Sequence, residues 1–191
     1  MLDLVAAPEW TVESYLALEE SSLERHEFVN GRIYPMAGGS YQHARIKDRF
    51  SRLVGNKLDG GPCEPTTSDV RVRIGENYVY PDVTIVCGEP EIEQDHGEHL
   101  LNPILIVEVT SPSTSDYDRG AKFRLYRSLP SLMEYLVFSQ DEMFLEQHVR
   151  QGEAWVLLEF SSPDTPITLP SLQCQITLAE IYAKTQSDEG P

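Results

Sequence analysis

The clearest pattern along the chain lies at residues 40–58. Ile46, Phe50, Leu53, Val54 and Leu58 recur at helical spacing, with Arg45, Asp48, Arg49, Arg52 and Asn56 on the opposite face, so a helix is predicted there. Thr11 can cap a shorter helix over TVESYLALEE that gathers Val12, Tyr15 and Leu16 on one face. EFVNGRIYPM reads as a hairpin turning on Asn30-Gly31, a pair suited to a tight two-residue turn. Residues 66–74 alternate as one half-buried strand, and YVYPDVTIVCG reads as the next. GEPEIEQDHGEHLLNP reads as a solvated acidic loop. ILIVEV is a nearly unbroken apolar run, as a central strand covered on both faces requires. A helix over 118–129 follows, then strands at EYLVF, MFLEQHV and AWVLLEF, the last two joined at Gln151-Gly152. TPITLP reads as a short strand or loop and LAEIYAK as a short helix, before a frayed end from about residue 185. The fold class expected is α/β with α+β character: one domain over 1–191, a mixed sheet flanked by helices, with a helix and hairpin in front.

Charge changes the picture in one respect. The 191 residues carry a net charge of −16, which excludes a general nucleic-acid coat protein with a basic surface. The excess is uneven, however: residues 1–31 hold one base against seven acids and 128–191 two against ten, while 32–127 hold twelve against fourteen. Any phosphate-binding site should therefore lie in the centre. No apolar run approaches the roughly 18–20 residues of a membrane span, and the first residues lack the pattern of a signal peptide. Three cysteines (Cys63, Cys87, Cys174) without CxxC spacing argue against a disulfide framework or a zinc site, and a reducing, cytoplasmic location is the simplest reading.

Three residues stand out chemically. Glu108 interrupts ILIVEV. It is either a strand-end glutamate reaching solvent or a buried carboxylate that must be protonated, paired or bound to metal. Asp82 follows Pro81 at the mouth of another apolar strand, where it is either a turn residue or a second carboxylate converging with Glu108 on a hard divalent cation. Lys122 falls at the middle of the inward arc formed by Asp118, Leu125, Tyr126 and Leu129, where it either pairs with Asp118 or serves a site. His43 shares a helix face with Ile46 and Phe50; a core or capping role competes with a role beside the site. Asp95, His96, Glu98 and His99 look like metal ligands on paper, but no framed element holds them.

YPDVTIVCG, LIVEVTSPST and DRGAKFRLY, with HEFVNGRIYPMAGGSYQHARI upstream and LPSLMEYLVF downstream, resemble the Uma-two family of endonuclease-like proteins. That family falls in the PD-(D/E)xK, restriction-endonuclease-like superfamily. The resemblance runs from about residue 10 to residue 138. It implies a restriction-endonuclease-like fold and metal-dependent hydrolysis of phosphodiesters in nucleic acid, most simply DNA. It implies Mg²⁺ (or Mn²⁺) held by Asp82, Glu108 and the Val109 carbonyl. The superfamily's lysine position is Thr110 here, so the resemblance places that lysine on Lys122 in the following helix. It also implies that Glu27 and His43 border the site and that the protein is a homodimer. Arg45, Arg49 and Arg52 form a stripe that could track a DNA backbone or simply be a solvated face. The rival reading is a nuclease-like scaffold kept for binding or assembly, which the displaced lysine and the negative charge would suit.

Overall fold

The computed structural model describes residues 10–36, 38–111 and 117–183. Helix α1 (Val12–Ser21) starts at a capping box in which Thr11 and Ser14 each satisfy the other's backbone amide. It buries Tyr15 and Leu16, with Tyr15 stacked on Phe28 at 5.1 Å. Strands β1 (His26–Val29) and β2 (Arg32–Pro35) form the expected hairpin. Asn30 and Gly31 take φ of 51° and 75°, the left-handed pair that such a turn needs. Helix α2 (Tyr41–Leu58) is capped by Ser40, whose Oγ accepts from the His43 amide at 3.1 Å, and it buries Ile46, Phe50 and Val54.

The next strands are β3 (Cys63–Thr67), β4 (Arg71–Ile74), β5 (Asn77–Val79), β6 (Val83–Cys87), β7 (Ile92–Gln94), β8 (Glu98–Leu100) and β9 (Leu105–Thr110). A π-helical turn (Tyr117–Lys122) runs into α3 (Phe123–Tyr126). Then come β10 (Glu134–Ser139), β11 (Leu145–Gln151), β12 (Ala154–Phe160), β13 (Ile167–Leu169), β14 (Cys174–Ile176) and α4 (Leu178–Tyr182). Among the described residues these strands form two six-stranded sheets, ordered β2-β1-β5-β4-β8-β7 and β12-β11-β10-β9-β6-β3, and a small β13-β14 hairpin. Pairing is antiparallel apart from β9 with β10 and β4 with β8.

The second sheet is covered on both faces. Phe50 and Val54 of α2 and Ile181 of α4 pack on Val83, Leu105, Val107 and Phe138. On the other side Tyr126, Leu129 and Leu132, together with Val72 and Val79 of the first sheet, pack on Ile106 and Val137. Every residue of β9 is buried, the physical reason for its unbroken apolar run.

The structure corrects several expectations. Residues 66–74 do not form one strand: the chain turns at Thr67, whose carbonyl accepts from the amides of Asp69 and Val70, so β3 and β4 enter different sheets. YVYPDVTIVCG is split in the same way at Tyr80–Asp82, because Pro81 cannot continue the ladder. The acidic loop contains the β7–β8 hairpin, with His96 and Gly97 at positive φ and His99 fully buried. The helix expected over 118–129 is a π-helical turn followed by a single α-helical turn. Three cysteines do conceal one disulfide, because the β3–β6 register sets Cys63 opposite Cys87, leaving Cys174 as the free thiol. The expected frayed end from residue 185 lies outside the described residues, as does Lys184 of LAEIYAK. No helix among the described residues is long and apolar enough to cross a membrane.

Candidate active site

The crossing of the chain from the first sheet to the second creates the site. Tyr80–Asp82 link β5 to β6, and all three residues are buried. The antiparallel β6–β9 register pairs Val83 with Val107, so one step further Asp82 stands opposite Glu108. Asp82 is fixed by two donors: His43 Nε2 at 2.8 Å from Oδ1 and the Val109 amide at 2.8 Å from Oδ2. Gly39 allows the His43 ring its place, since a Cβ there would come within 3.0 Å of it.

Glu108 does not reach solvent as a strand-end residue. Its Oε1 accepts from Lys122 Nζ at 3.0 Å and from the Tyr126 hydroxyl at 2.6 Å, and Oε2 has no donor among the described residues. Lys122 also contacts Glu27 at 2.9 Å and, more distantly, Asp118 at 3.8 Å. Glu27 comes from β1, where its Oε1 accepts from the Tyr80 amide at 3.1 Å just beyond the end of the β1–β5 ladder. Thus Glu27, Asp82, Glu108, Asp118 and Lys122, from both sheets and the π-helical turn, form one buried cluster. If all are ionised, four carboxylates face one ammonium.

Burial and that imbalance together set the protonation states. Burial pushes the Glu108 carboxyl up to about 8; Lys122 opposes this, and Asp82, Asp118 and Glu27 add to it. For Lys122 burial favours the neutral amine, but Glu108, Glu27 and Asp118 outweigh it and hold the ammonium well above its usual range. Burial and the adjoining Glu108 keep the Tyr126 phenol neutral.

These side chains line a cavity of about 540 Å³, together with His43, Lys47, Val109 and the rings of Tyr34, Tyr80 and Tyr117. The charges suit a hard divalent cation: surplus carboxylate, a Glu108 Oε2 without a donor among the described residues, and two acids that face each other just beyond the β6–β9 pairing. No group of three or more His, Cys, Asp or Glu among the described residues is arranged as a ready-made metal cluster. Mg²⁺ does not need one, since it takes one or two carboxylates and keeps water or phosphate oxygens elsewhere.

The structure therefore brings Glu27, His43, Asp82, Glu108, Val109 and Lys122 together. It does not bring Arg45, Arg49 and Arg52, none of which lines the cavity. Arg45 instead donates to the Ala183 carbonyl at 2.9 Å. Asp95, His96, Glu98 and His99 lie apart on the β7–β8 hairpin, where His99 bonds the Asp95 carbonyl and His96 pairs with Glu20. Sequence reasoning missed Lys47, Tyr34, Tyr80 and Tyr117. Lys47 alone carried a signal, being one helical turn beyond His43 on the same face of α2.

Residues 12–180 match the family model Uma2, whose description reads "Putative restriction endonuclease". The chain belongs to the Uma2 family. Two uncharacterized proteins of Synechocystis sp. (strain PCC 6803) are similar over most of their length. One, slr1290, is 38% identical over 178 residues, covering 92% of each chain. The other, sll1609, is 36% identical over 160 residues, covering 82% of this chain and 90% of its own. The crystal structure of "a putative nuclease belonging to DUF820" from Anabaena variabilis matches with a TM-score of 0.74 at 16% identity, covering 91% of this Uma2 chain and 97% of that one. The Uma2 fold seen here is thus restriction-endonuclease-like, a mixed α/β architecture.

Proposed function

We propose that the protein is a metal-dependent endonuclease that hydrolyses phosphodiester bonds, with DNA as substrate. The observation that carries this reading is the meeting of Asp82, Glu108 and Lys122, from the β5–β6 link, strand β9 and the π-helical turn, at one cavity. Family membership points to the same reaction class. Asp82, Glu108 and the Val109 carbonyl would hold Mg²⁺ or Mn²⁺. The chemistry supplied by the bound ion is Lewis acidity, polarising a non-bridging phosphate oxygen and lowering the pKa of a bound water.

The chain's own residues prepare the site. His43 and the Val109 amide orient Asp82, leaving its carboxylate little rotational freedom. Lys122, charged and aimed by Glu27 and Asp118, sits where it would offset negative charge developing on phosphorus. Tyr126 holds Glu108 from behind. The lysine that the resemblance moved from position 110 to the helix has, on this reading, the role its superfamily gives it.

The test is Mg²⁺-dependent cleavage of DNA by wild type, Asp82→Ala and Glu108→Ala. Wild type is expected to cleave and both variants to fall below detection. Equal cleavage by both variants would remove the site assignment. Failure of wild type with both Mg²⁺ and Mn²⁺ would leave a binding scaffold.

A further inference from the structure

The cavity contains features that metal and phosphate chemistry does not use. Tyr34 from the β1–β2 hairpin and Tyr117 from the π-helical turn meet at its rim, ring centroids 5.3 Å apart and planes tilted by 31°. Both residues are only half-buried, so part of each ring stays open. The Tyr117 hydroxyl is buried and has no hydrogen-bond partner among the described residues.

The cationic side is equally specific. Of the two lysines lining the cavity, Lys122 is held by carboxylates. Lys47 has no carboxylate partner among the described residues and donates only to the Ser68 hydroxyl, at 3.0 Å. A duplex is gripped through many phosphates, each contact releasing counterions. Among the described residues Lys47 is the one lysine or arginine lining the cavity without a carboxylate partner, on a chain of net charge −16, and the arginine stripe of α2 lies elsewhere. Affinity must then come from another source. Base–aromatic stacking supplies it only for a base that is out of a helix. A volume of about 540 Å³ is in the range of small-molecule pockets and has room for one nucleotide.

We propose that the cavity seats one unpaired nucleotide of a DNA or RNA strand, its base against the Tyr34–Tyr117 pair and its phosphate at Lys47. Resting on the nuclease reading, this makes single-stranded, bulged or frayed sites the substrate class in preference to closed duplex, because an unpaired base need not be pulled out of a stack.

The seat can be tested without cleavage. Oligonucleotides carrying 2-aminopurine, as DNA and as RNA, are titrated with wild-type protein in Ca²⁺ as single strand, single-base bulge and closed duplex. The expected result is quenching of the unpaired 2-aminopurine and binding about tenfold or more tighter than to closed duplex. The slope of log K against log salt for the single strand should be about −0.7, the value for one phosphate contact. Tyr34→Leu should cost about tenfold, Tyr34→Phe should retain binding, and Lys47→Gln should flatten the salt dependence. The stronger of the DNA and RNA arms names the strand. Equal affinity for duplex, or Tyr34→Leu binding like wild type, would overturn the seat. Cleavage in Mg²⁺ is scored separately: quenching without cleavage keeps the seat and removes the nuclease reading, and cleavage without preference for unpaired bases does the reverse.

Discussion

At the scale of single residues, the cluster around Lys122 is held together by opposite charge on the wall of a cavity where most of each side chain is buried. Removing one partner strands the rest, and a buried uncompensated carboxylate is costly. Lys122→Met should therefore destabilise the metal-free protein by about 3–5 kcal/mol, read from urea denaturation. His148 makes a contrasting case. It lies 4.0 Å from Phe123 between ring centroids, its Nε2 is buried without a partner among the described residues, and burial pushes its pKa down to about 4. Unfolded, it takes up a proton near its ordinary 6.5. Below that pH the unfolded chain binds a proton that the folded one refuses, so stability falls as pH drops from about 6.5 to about 4. His148→Phe should abolish this part of the acid sensitivity, and thermal melts of both proteins at pH 5 and pH 7 would show a larger gain at pH 5. The chain itself singled out Asp82, Glu108 and Lys122, because charge in an apolar stretch is conspicuous. Lys47 and the tyrosines were not conspicuous: a lysine on a helix and a tyrosine in a strand are ordinary until a cavity forms beside them.

At the scale of elements, periodicity succeeded where one element packs on one neighbour. Helix α2 and the β1–β2 hairpin lie where their apolar spacing and turn residues placed them. Periodicity failed where a continuous pattern changes partners. Residues 66–74 alternate without a break, yet the chain passes from one sheet to the other at Thr67–Val70, and only the choice of partner strand interrupts it. The π-helical turn is a similar case, since its wider winding, which carries the buried Asp118 and Lys122, departs from the α-helical period expected from the sequence pattern. The β13–β14 hairpin is tied to the main sheet by Glu134. This buried carboxylate of β10 accepts from the Ser171 amide at 2.7 Å, from the Ser171 hydroxyl and from Gln147 Nε2 at 2.8 Å. Glu134→Ala leaves those donors unpaired and should cost about 2–3 kcal/mol. Hydrogen exchange should locate the loosening at Ile167–Ile176, whereas a loss spread evenly over both sheets would contradict the tie.

At the scale of the whole molecule, two global properties need restating. The cysteine count hid a pair, so thiol titration of protein denatured without reductant should find one free thiol, Cys174, and three after reduction. The charge of −16 is concentrated at the two ends, and Lys47, Asp82, Glu108, Asp118 and Lys122 lie in the nearly balanced stretch between them, with Glu27 outside it, although the buried cluster is itself acidic. By itself the sequence determined the family, the main helices and strands, and the three charged residues whose setting is anomalous, because hydrophobic spacing and misplaced charge are local properties of a chain. The resemblance placed Glu27 and His43 beside the site; only the tertiary structure decided that Glu27 meets Lys122 and His43 meets Asp82, that Lys47 and not the arginine stripe lines the cavity, and that Cys63 meets Cys87. Each of those is a contact between segments far apart in the chain, created by strand register and by the crossing between two sheets, and neither is written in any one segment's periodicity.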